Sequence, residues 1–394
     1  MDVPSACLSN MRKAMENNPM IRTVCKLSTL TPCHVGSGSI LLRNQEFVTD
    51  GDELGVVDPR KIYGILGANG IDAWCRAIEN QEDIYAMLRK VRPDVRLRTI
   101  CSRIMPLYGG SGRVMELREQ LRSNGAACIP GSSLKGAIVT AVLASNPEDS
   151  RLQLDHPRSS NNRVVDRFFA NPEKYDPKSS ALRFLRVGDA CFEQIPTCAV
   201  HCLSLNIRSS RDSLVDEKVR QFVECIYADD PATCEIDLIN RQSDYYHDIA
   251  SCVRTIPDAL TSIEALFRSL TAHTRSLLVE ELNFWQDYNA DELNDYLPQI
   301  EELISECDAC KDGRSAVLRV GYGSGWNFMT GAWSRRRTEL QDPDQWANIL
   351  ALARKDRMGR YREYPFIKTR RVFYDQPEEP ILPLGFMKIE VERD

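Results

Sequence analysis

Residues 21–30 alternate polar and apolar side chains and are rich in strand formers, a spacing that predicts a β-strand. A glycine–serine turn breaks it at 31–39, and two short strands are predicted at 46–48 and 54–57, ending at Asp58-Pro59. Helical spacing then dominates from 61 to 123. Ile78, Ile84, Met87 and Leu88 form one apolar stripe, and Val114, Leu117 and Leu121 form another. A further helix is predicted over about 133–144, with Leu134, Ile138, Val139 and Val142 facing inward. Residues 146–180 are polar and contain Pro147, Pro157, Pro172 and Pro177, the pattern of a protruding insertion with little core of its own. Strand character returns at 182–187 and 199–207. Residues 212–308 read as an all-helical block, whose best stripe joins Leu260, Ile263, Leu266, Phe267 and Leu270 to Leu277, Leu278 and Leu282. Closing strands are predicted at 316–320, 371–374 and 385–391. This order of elements is α+β, without an internal repeat.

The helix predicted at 133–144 opens from Ile129-Pro130-Gly131-Ser132-Ser133-Leu134-Lys135-Gly136-Ala137. That segment puts a glycine turn, two hydroxyls and a lysine at the positive end of a helix, where the first N–H groups have no partner within the helix. Such an end can hold an anion. The lysine precedes the second glycine, so the spacing is not that of a Walker A loop. A nucleic-acid backbone is therefore a better candidate than a nucleoside triphosphate.

Charge changes the picture only through its distribution. The net charge of −6 argues against generic nucleic-acid affinity, yet residues 279–308 carry ten acidic side chains and no basic one. Residues 354–371 carry eight basic against two acidic. Such segregation suits a chain that meets a polyanion on one face, and equally two solvated surfaces with no ligand. A chain of 394 residues can form one elaborated domain or two. No leader pattern and no long apolar run is evident, so a cytoplasmic protein without membrane contact is expected. The 14 cysteines are scattered, as buried small apolar residues would be. Cys307 and Cys310 form the one close pair with zinc-like spacing, but no second pair lies nearby, and neither a metal nor a cofactor is expected.

Other residues carry two readings each. In Gly321-Tyr322-Gly323-Ser324-Gly325-Trp326 the glycines would let backbone approach a ligand and the aromatics stack on a base, or Trp326 is core. The spacing is not a dinucleotide fingerprint. His34, beside Gly36-Ser37-Gly38, is a candidate base or RNA contact, or a hydrogen-bonded structural histidine. Asp50, Asp52 and Asp58 would supply acid–base or metal chemistry, or cap strands and turns; no His-Glu-x-x-His spacing accompanies them. Lys368, Arg370 and Arg371 beside Phe366 and Phe373 mix cations with aromatics as single-strand binders do, or protect an edge strand.

His34-Val35-Gly36-Ser37-Gly38, the 129–137 segment and the 321–326 segment together resemble the RAMP superfamily of CRISPR effector complexes. Within it the chain is most similar to the fifth-subunit family of the type III-A Csm complex. That finer likeness rests on Val56-Val57-Asp58-Pro59-Arg60-Lys61, the long insert before Ile129, the helical block, and Lys368-Thr369-Arg370 with Pro383-Leu384-Gly385-Phe386. The resemblance implies a ferredoxin-like, RRM-type core with a thumb-like insertion and large helical insertions. Residues 18–210 would form that core, with a helical insert at 60–125 and the thumb at 146–180. Residues 211–312 would be a helical domain and 313–394 would complete the core.

It also implies a non-catalytic crRNA-binding subunit that caps the backbone filament near the crRNA 3′ end and supports crRNA maturation and RNA-guided antiviral interference. Its partners would be crRNA, target RNA, the backbone RAMP subunit, the small subunit and host trimming nucleases. A metal-dependent endoribonuclease, or a RAMP subunit of a type III-B complex, stands as the alternative. Carried over position by position, Gly131, Ser132, Ser133 and Lys135 would hold phosphates, and His34, Gly36 and Ser37 would line the adjoining surface. Gly321, Gly323, Ser324 and Gly325 would pack against the RNA, alongside Lys368, Arg370 and Arg371. The family's backbone subunit cuts with an aspartate between the first two motifs, and no aspartate here aligns with it.

Overall fold

The alternation at 21–30 is realised as β1 (Met20–Thr29), followed by β2 (Gly36–Leu42), β3 (Phe47–Asp50) and β4 (Glu53–Val57). A cluster of short helices comes next: α1 (Pro59–Leu66), α2 (Ile71–Glu79), α3 (Ile84–Val91) and α4 (Leu97–Ile100). Then come β5 (Cys101–Tyr108), β6 (Glu116–Gln120), β7 (Arg122–Ser123), β8 (Ala126–Ile129) and α5 (Gly131–Ala144). β9 (Arg186–Val187), β10 (Ala190–Phe192), β11 (Cys198–Asn206), β12 (Gln221–Cys225) and β13 (Ala232–Ile239) precede α6 (Tyr246–Cys252), α7 (Ile263–Trp285) and α8 (Asp291–Ala309). The chain closes with β14 (Ser315–Arg319), β15 (Thr369–Phe373), β16 (Leu382–Pro383) and β17 (Phe386–Val391). This computed structural model describes residues 17–108, 114–145, 180–193, 197–206, 213–215, 221–227, 230–253, 256–286, 288, 290–328, 369–373 and 381–392.

An antiparallel sheet in the order β14-β17-β1-β13-β9 forms one layer. Its inward face packs on α5 and α7 through a core that joins Cys25 and Leu27 to Ile138, Val142, Ile236, Phe267, Leu318 and Ile389. All four inward positions read from the 133–144 pattern are buried there. A second sheet runs β2-β6-β12-β11-β5-β4-β3, with β15 added on β11, and a small sheet β10-β8-β7 leads into α5. The short helices cover one end of the second sheet through Val48, Val57, Ile62, Leu88 and Ile100. α7 and α8 share a separate cluster built around Trp285, Tyr296, Ile300 and Phe386. The mixed α+β architecture matches the sequence expectation.

Three local readings are corrected. The stripe Val114, Leu117, Leu121 is not helical: β6 pairs antiparallel with β2 and parallel with β12, and Leu117 is buried between sheet partners. Pairing with distant strands overrides the local spacing. The block 212–308 is not all helix, because β12 and β13 lie within it. β13 pairs with β1 from Leu27↔Ala232 to Met20↔Ile239, with Ala232, Cys234 and Ile236 buried and Thr233 and Glu235 exposed, a period of two. The glycine–serine stretch at 31–39 is turn only at its start, since β2 begins at Gly36. The thumb-like stretch (apart from Ser180), the basic residues 354–368 and Lys368 lie outside the described residues.

Candidate nucleic-acid interface

The turn after β1 is the meeting point of four distant segments. Cys33 exchanges backbone hydrogen bonds with Ile226, both at 2.8 Å. The Val35 N–H donates to the Gln120 side chain (3.0 Å), and its carbonyl accepts from Leu121 N–H (2.8 Å). The His34 carbonyl accepts from Tyr322 N–H (2.7 Å), and Gly385 N–H donates to Pro32 (2.9 Å). Gly321 makes this closure possible. Its φ is +80°, and a Cβ there would stand 2.2 Å from the His34 carbonyl oxygen. Two of the glycine motifs are therefore in direct contact, an outcome no local pattern dictates.

His34 is buried, and its Nδ1 lies 2.6 Å from the Glu224 carbonyl oxygen. A carbonyl only accepts, so Nδ1 carries the proton and Nε2 faces Gly36, where a Cβ would approach to 3.2 Å. Burial pushes its pKa below the usual histidine value, against the raising effect of Glu224. His34 is thus a neutral strut of the turn. The Tyr322 ring meets it edge-on at 5.8 Å.

Beneath the turn lies the Glu224 carboxylate, whose side chain is 0% exposed. It accepts from Arg103 at 3.1 Å through both Nε and Nη2, from Thr197 at 2.6 Å, from Gln120 N–H at 3.2 Å and from Arg122. Burial alone would raise its pKa; Arg103, Arg122 and the Thr197 hydroxyl outweigh burial and hold it below the usual value. Gln120 Nε2 donates to Cys128 (2.8 Å), and Cys128 N–H to Leu121 (2.9 Å). This ladder connects the His34 turn to β8 and so to the start of α5.

That helix start is less open than the sequence suggests. Gly131 is buried, and a Cβ there would stand 2.0 Å from the Val187 carbonyl oxygen. Its N–H donates to the Asp189 carboxylate at 2.7 Å, so an internal anion already answers the first amide. Lys135 Nζ donates to the carbonyls of Leu182 (2.9 Å) and Leu185 (2.7 Å), and burial lowers its pKa. Sequence placed phosphate at Lys135 and Gly131; here the lysine clamps the 182–185 segment, and the glycine is needed for close approach. Ser132 is exposed and Ser133 half-buried.

The residues expected near the 321–325 loop divide. Arg370 is not a surface cation: its Nε donates to Glu281 at 2.6 and 2.7 Å, and its guanidinium lies 4.8 Å from the Phe284 ring. Gly323 packs on Arg371, which lies opposite Ser204 in the β11–β15 ladder. Arg371 and Arg118 both act on Tyr322, whose pKa is nonetheless raised, chiefly by burial. Ser324 Oγ donates back to Gly321 (2.9 Å). Gly36, Ser37, Gly38 and Ser39 are exposed on β2, the strand that ends the second sheet, with a register shift between Gly36 and Ile40.

Arg118 was missed by sequence reasoning. It stands on β6 opposite Ile40, half-buried, with its charge acting on His34 and Tyr322 and no hydrogen-bond or ion-pair partner among the described residues. An Arg between two acids in a supposed helix carries no such signal. Asp58 caps α1 through Arg60 N–H (2.9 Å), the capping role weighed for it, whereas Asp50 accepts from the Tyr85 hydroxyl on α3 (2.9 Å). Cys307 and Cys310 are buried thiols in the α7–α8 cluster, with burial pushing Cys307 up to about 12.

The assembled surface therefore offers exposed glycine–serine backbone on β2, Arg118, Tyr322 beside Arg371, and the Ser132 hydroxyl. Positive side chains beside close-approach backbone suit phosphates rather than base edges. Among the described residues no helix is long and apolar enough to cross a membrane. A family model described as RAMPs, the RAMP superfamily, matches residues 26–326. No curated protein sequence matches the chain. A chain of a Csm–crRNA–target RNA ternary complex from a type III-A CRISPR-Cas system, solved by cryo-electron microscopy, superposes with a TM-score of 0.61 at 18% identity. That superposition covers 94% of this chain and 100% of the other. Crystalline Csm5 of T. onnurineus superposes with a TM-score of 0.61 at 17% identity, covering 92% and 99%.

Proposed function

Because the chain belongs to the RAMP superfamily, which its match over residues 26–326 establishes, we propose that it is a crRNA-binding subunit of a type III-A Csm complex. In this reading it is non-catalytic, caps the backbone filament near the crRNA 3′ end, and supports crRNA maturation and antiviral interference. Its neighbours are the backbone RAMP subunit and the small subunit, with target RNA paired along the guide and trimming nucleases acting on the exposed end.

One observation carries the reading: the His34 turn and the 321–325 loop are hydrogen-bonded together beside an arginine, Arg118, that no carboxylate neutralises among the described residues. The strand β2 gives RNA a groove edge without bulky side chains, from Gly36 to Ser39. While the Ser37 hydroxyl donates to Glu119 (3.2 Å) and holds β2 against β6, Arg118 supplies charge to a phosphate there and Ser132 a hydroxyl donor. Such contacts set the register of a strand without reading its sequence.

The test is Arg118→Ala in the purified complex. RNA retention weakens for all guide sequences alike, and the log–log salt slope falls by about 0.7, one single-strand phosphate. Small RNA of uniform 5′ end co-purifies with the wild type, and its 3′ end changes when this chain is deleted. Retention and slope unaltered in the variant would remove Arg118 from the interface. An unchanged 3′ end on deletion would remove the capping role.

A further inference from the structure

The 321–325 loop has a second side. Its first residues close on the His34 turn, while Gly323, Ser324 and Gly325 form the rim of a cavity of about 60 Å³. The floor is built by α7, α8 and β14: Glu281, Tyr296, Arg319 and Phe386 line it, and Arg370 enters from β15. On the measure by which one water needs roughly 10–15 Å³, this is room for a group of four or five heavy atoms.

The charges in this cavity do not balance. Glu281 is committed: both of its oxygens take Arg370 Nε, and Oε1 also accepts from Trp285 (2.8 Å) and Tyr296 (3.0 Å). Arg319 pairs with no carboxylate among the described residues. Its Nε donates to the Leu384 carbonyl (2.8 Å) and its Nη2 to that of Gly323 (3.1 Å), and its guanidinium lies between the Phe386 ring (4.6 Å) and the Phe328 ring (5.1 Å). A guanidinium has five N–H donors, and among the described residues only these two of Arg319, which lines the cavity, have a hydrogen-bond partner. Burial drops the Arg319 pKa to about 10, the cost of holding a cation away from water. Among the described lining residues three arginines, Arg319, Arg370 and Arg371, stand against one carboxylate, Glu281, which Arg370 engages, so the cavity keeps a net positive charge.

We propose that this cavity is an anion site that takes a single phosphate group, bound by the Arg319 guanidinium beneath the rim of the 321–325 loop. Phosphate has the size, and its oxygens match the in-plane donors a guanidinium presents. The site stands behind the loop rather than on the exposed β2 surface, so it does not depend on the RNA reading. Its source is either a free phosphate or mononucleotide, or the terminal phosphate of an RNA strand.

Thermal unfolding of the full chain tests this with inorganic phosphate against chloride of equal ionic strength. Phosphate raises Tm by about 2 °C or more when well above its dissociation constant. Arg319→Gln abolishes the shift. Since that variant removes a buried cation, Asn327→Asp provides the second arm: it adds a carboxylate to the cavity wall, keeps Arg319, and also abolishes the shift. A mononucleotide and oligoribonucleotides with and without a terminal phosphate, run in the same assay, identify the source. No phosphate-specific shift in the wild type, or an equal shift in Asn327→Asp, overturns the site. Either result leaves RNA retention at Arg118 untouched, so the two readings fail separately.

Discussion

Two buried carboxylates organise this chain, and they do so differently. Glu224 is saturated: two arginines, a hydroxyl and a backbone amide converge on it, and the turn above it is buried from Thr31 to His34. Glu281 serves one arginine, Arg370, and two aromatic donors, while Arg319 nearby has no ion-pair partner among the described residues. The first arrangement spends all its charge on holding a shape. The second retains a positive charge in a cavity, a property of a binding site rather than of a brace.

Removing each carboxylate separates the two roles. Glu224→Gln strands the Arg122 guanidinium, leaves Arg103 only Glu119 and loosens the turn, so the loss of stability falls at the upper end of the ~3–5 kcal/mol typical of a broken buried pair. Glu281→Gln strands one and falls at the lower end, with a smaller drop in Tm by calorimetry. A larger loss for Glu281→Gln would invert the comparison. Lys135→Ala, expected from sequence to weaken RNA retention, should instead cost ~1–2 kcal/mol by leaving two carbonyls unpaired, with the salt slope of RNA binding unchanged.

Acid sharpens the contrast further. Both glutamates titrate below the free value of 4.5, so their contribution is whole above that pH and drains away as pH falls through their folded values. His34 acts earlier. Its folded pKa lies below the free 6.5, so the unfolded chain gains the proton first and stability declines as pH drops from 6.5. The slope is at most ~1.4 kcal/mol per pH unit, and His34→Gln should flatten it in a Tm-against-pH series.

The glycine motifs were legible because glycine at a closure is dictated by backbone geometry: Gly131 and Gly321 each stand where a Cβ would strike a carbonyl. The α5 core positions were legible because one helix face meets one sheet. Arg118 and Glu224 were not, since their meaning comes from which strands lie beside β6 and β12. A strand with alternating charge, such as β6, reads locally as solvated helix. The internal partners of Lys135 and Arg370 were hidden for the same reason. A cation in a sequence announces its charge but not the carbonyl or carboxylate that consumes it.

The knot at residues 32–35 also sets an order of assembly. Phe386 N–H bonds to Thr31, across 355 positions, and Gly385 to Pro32. A nascent chain on the ribosome holds the helices and most of both sheets long before these last partners emerge, and so long-range a closure comes late. The turn at 32–35 thus closes late, and chains that lack β17 lack the contacts that hold its shape.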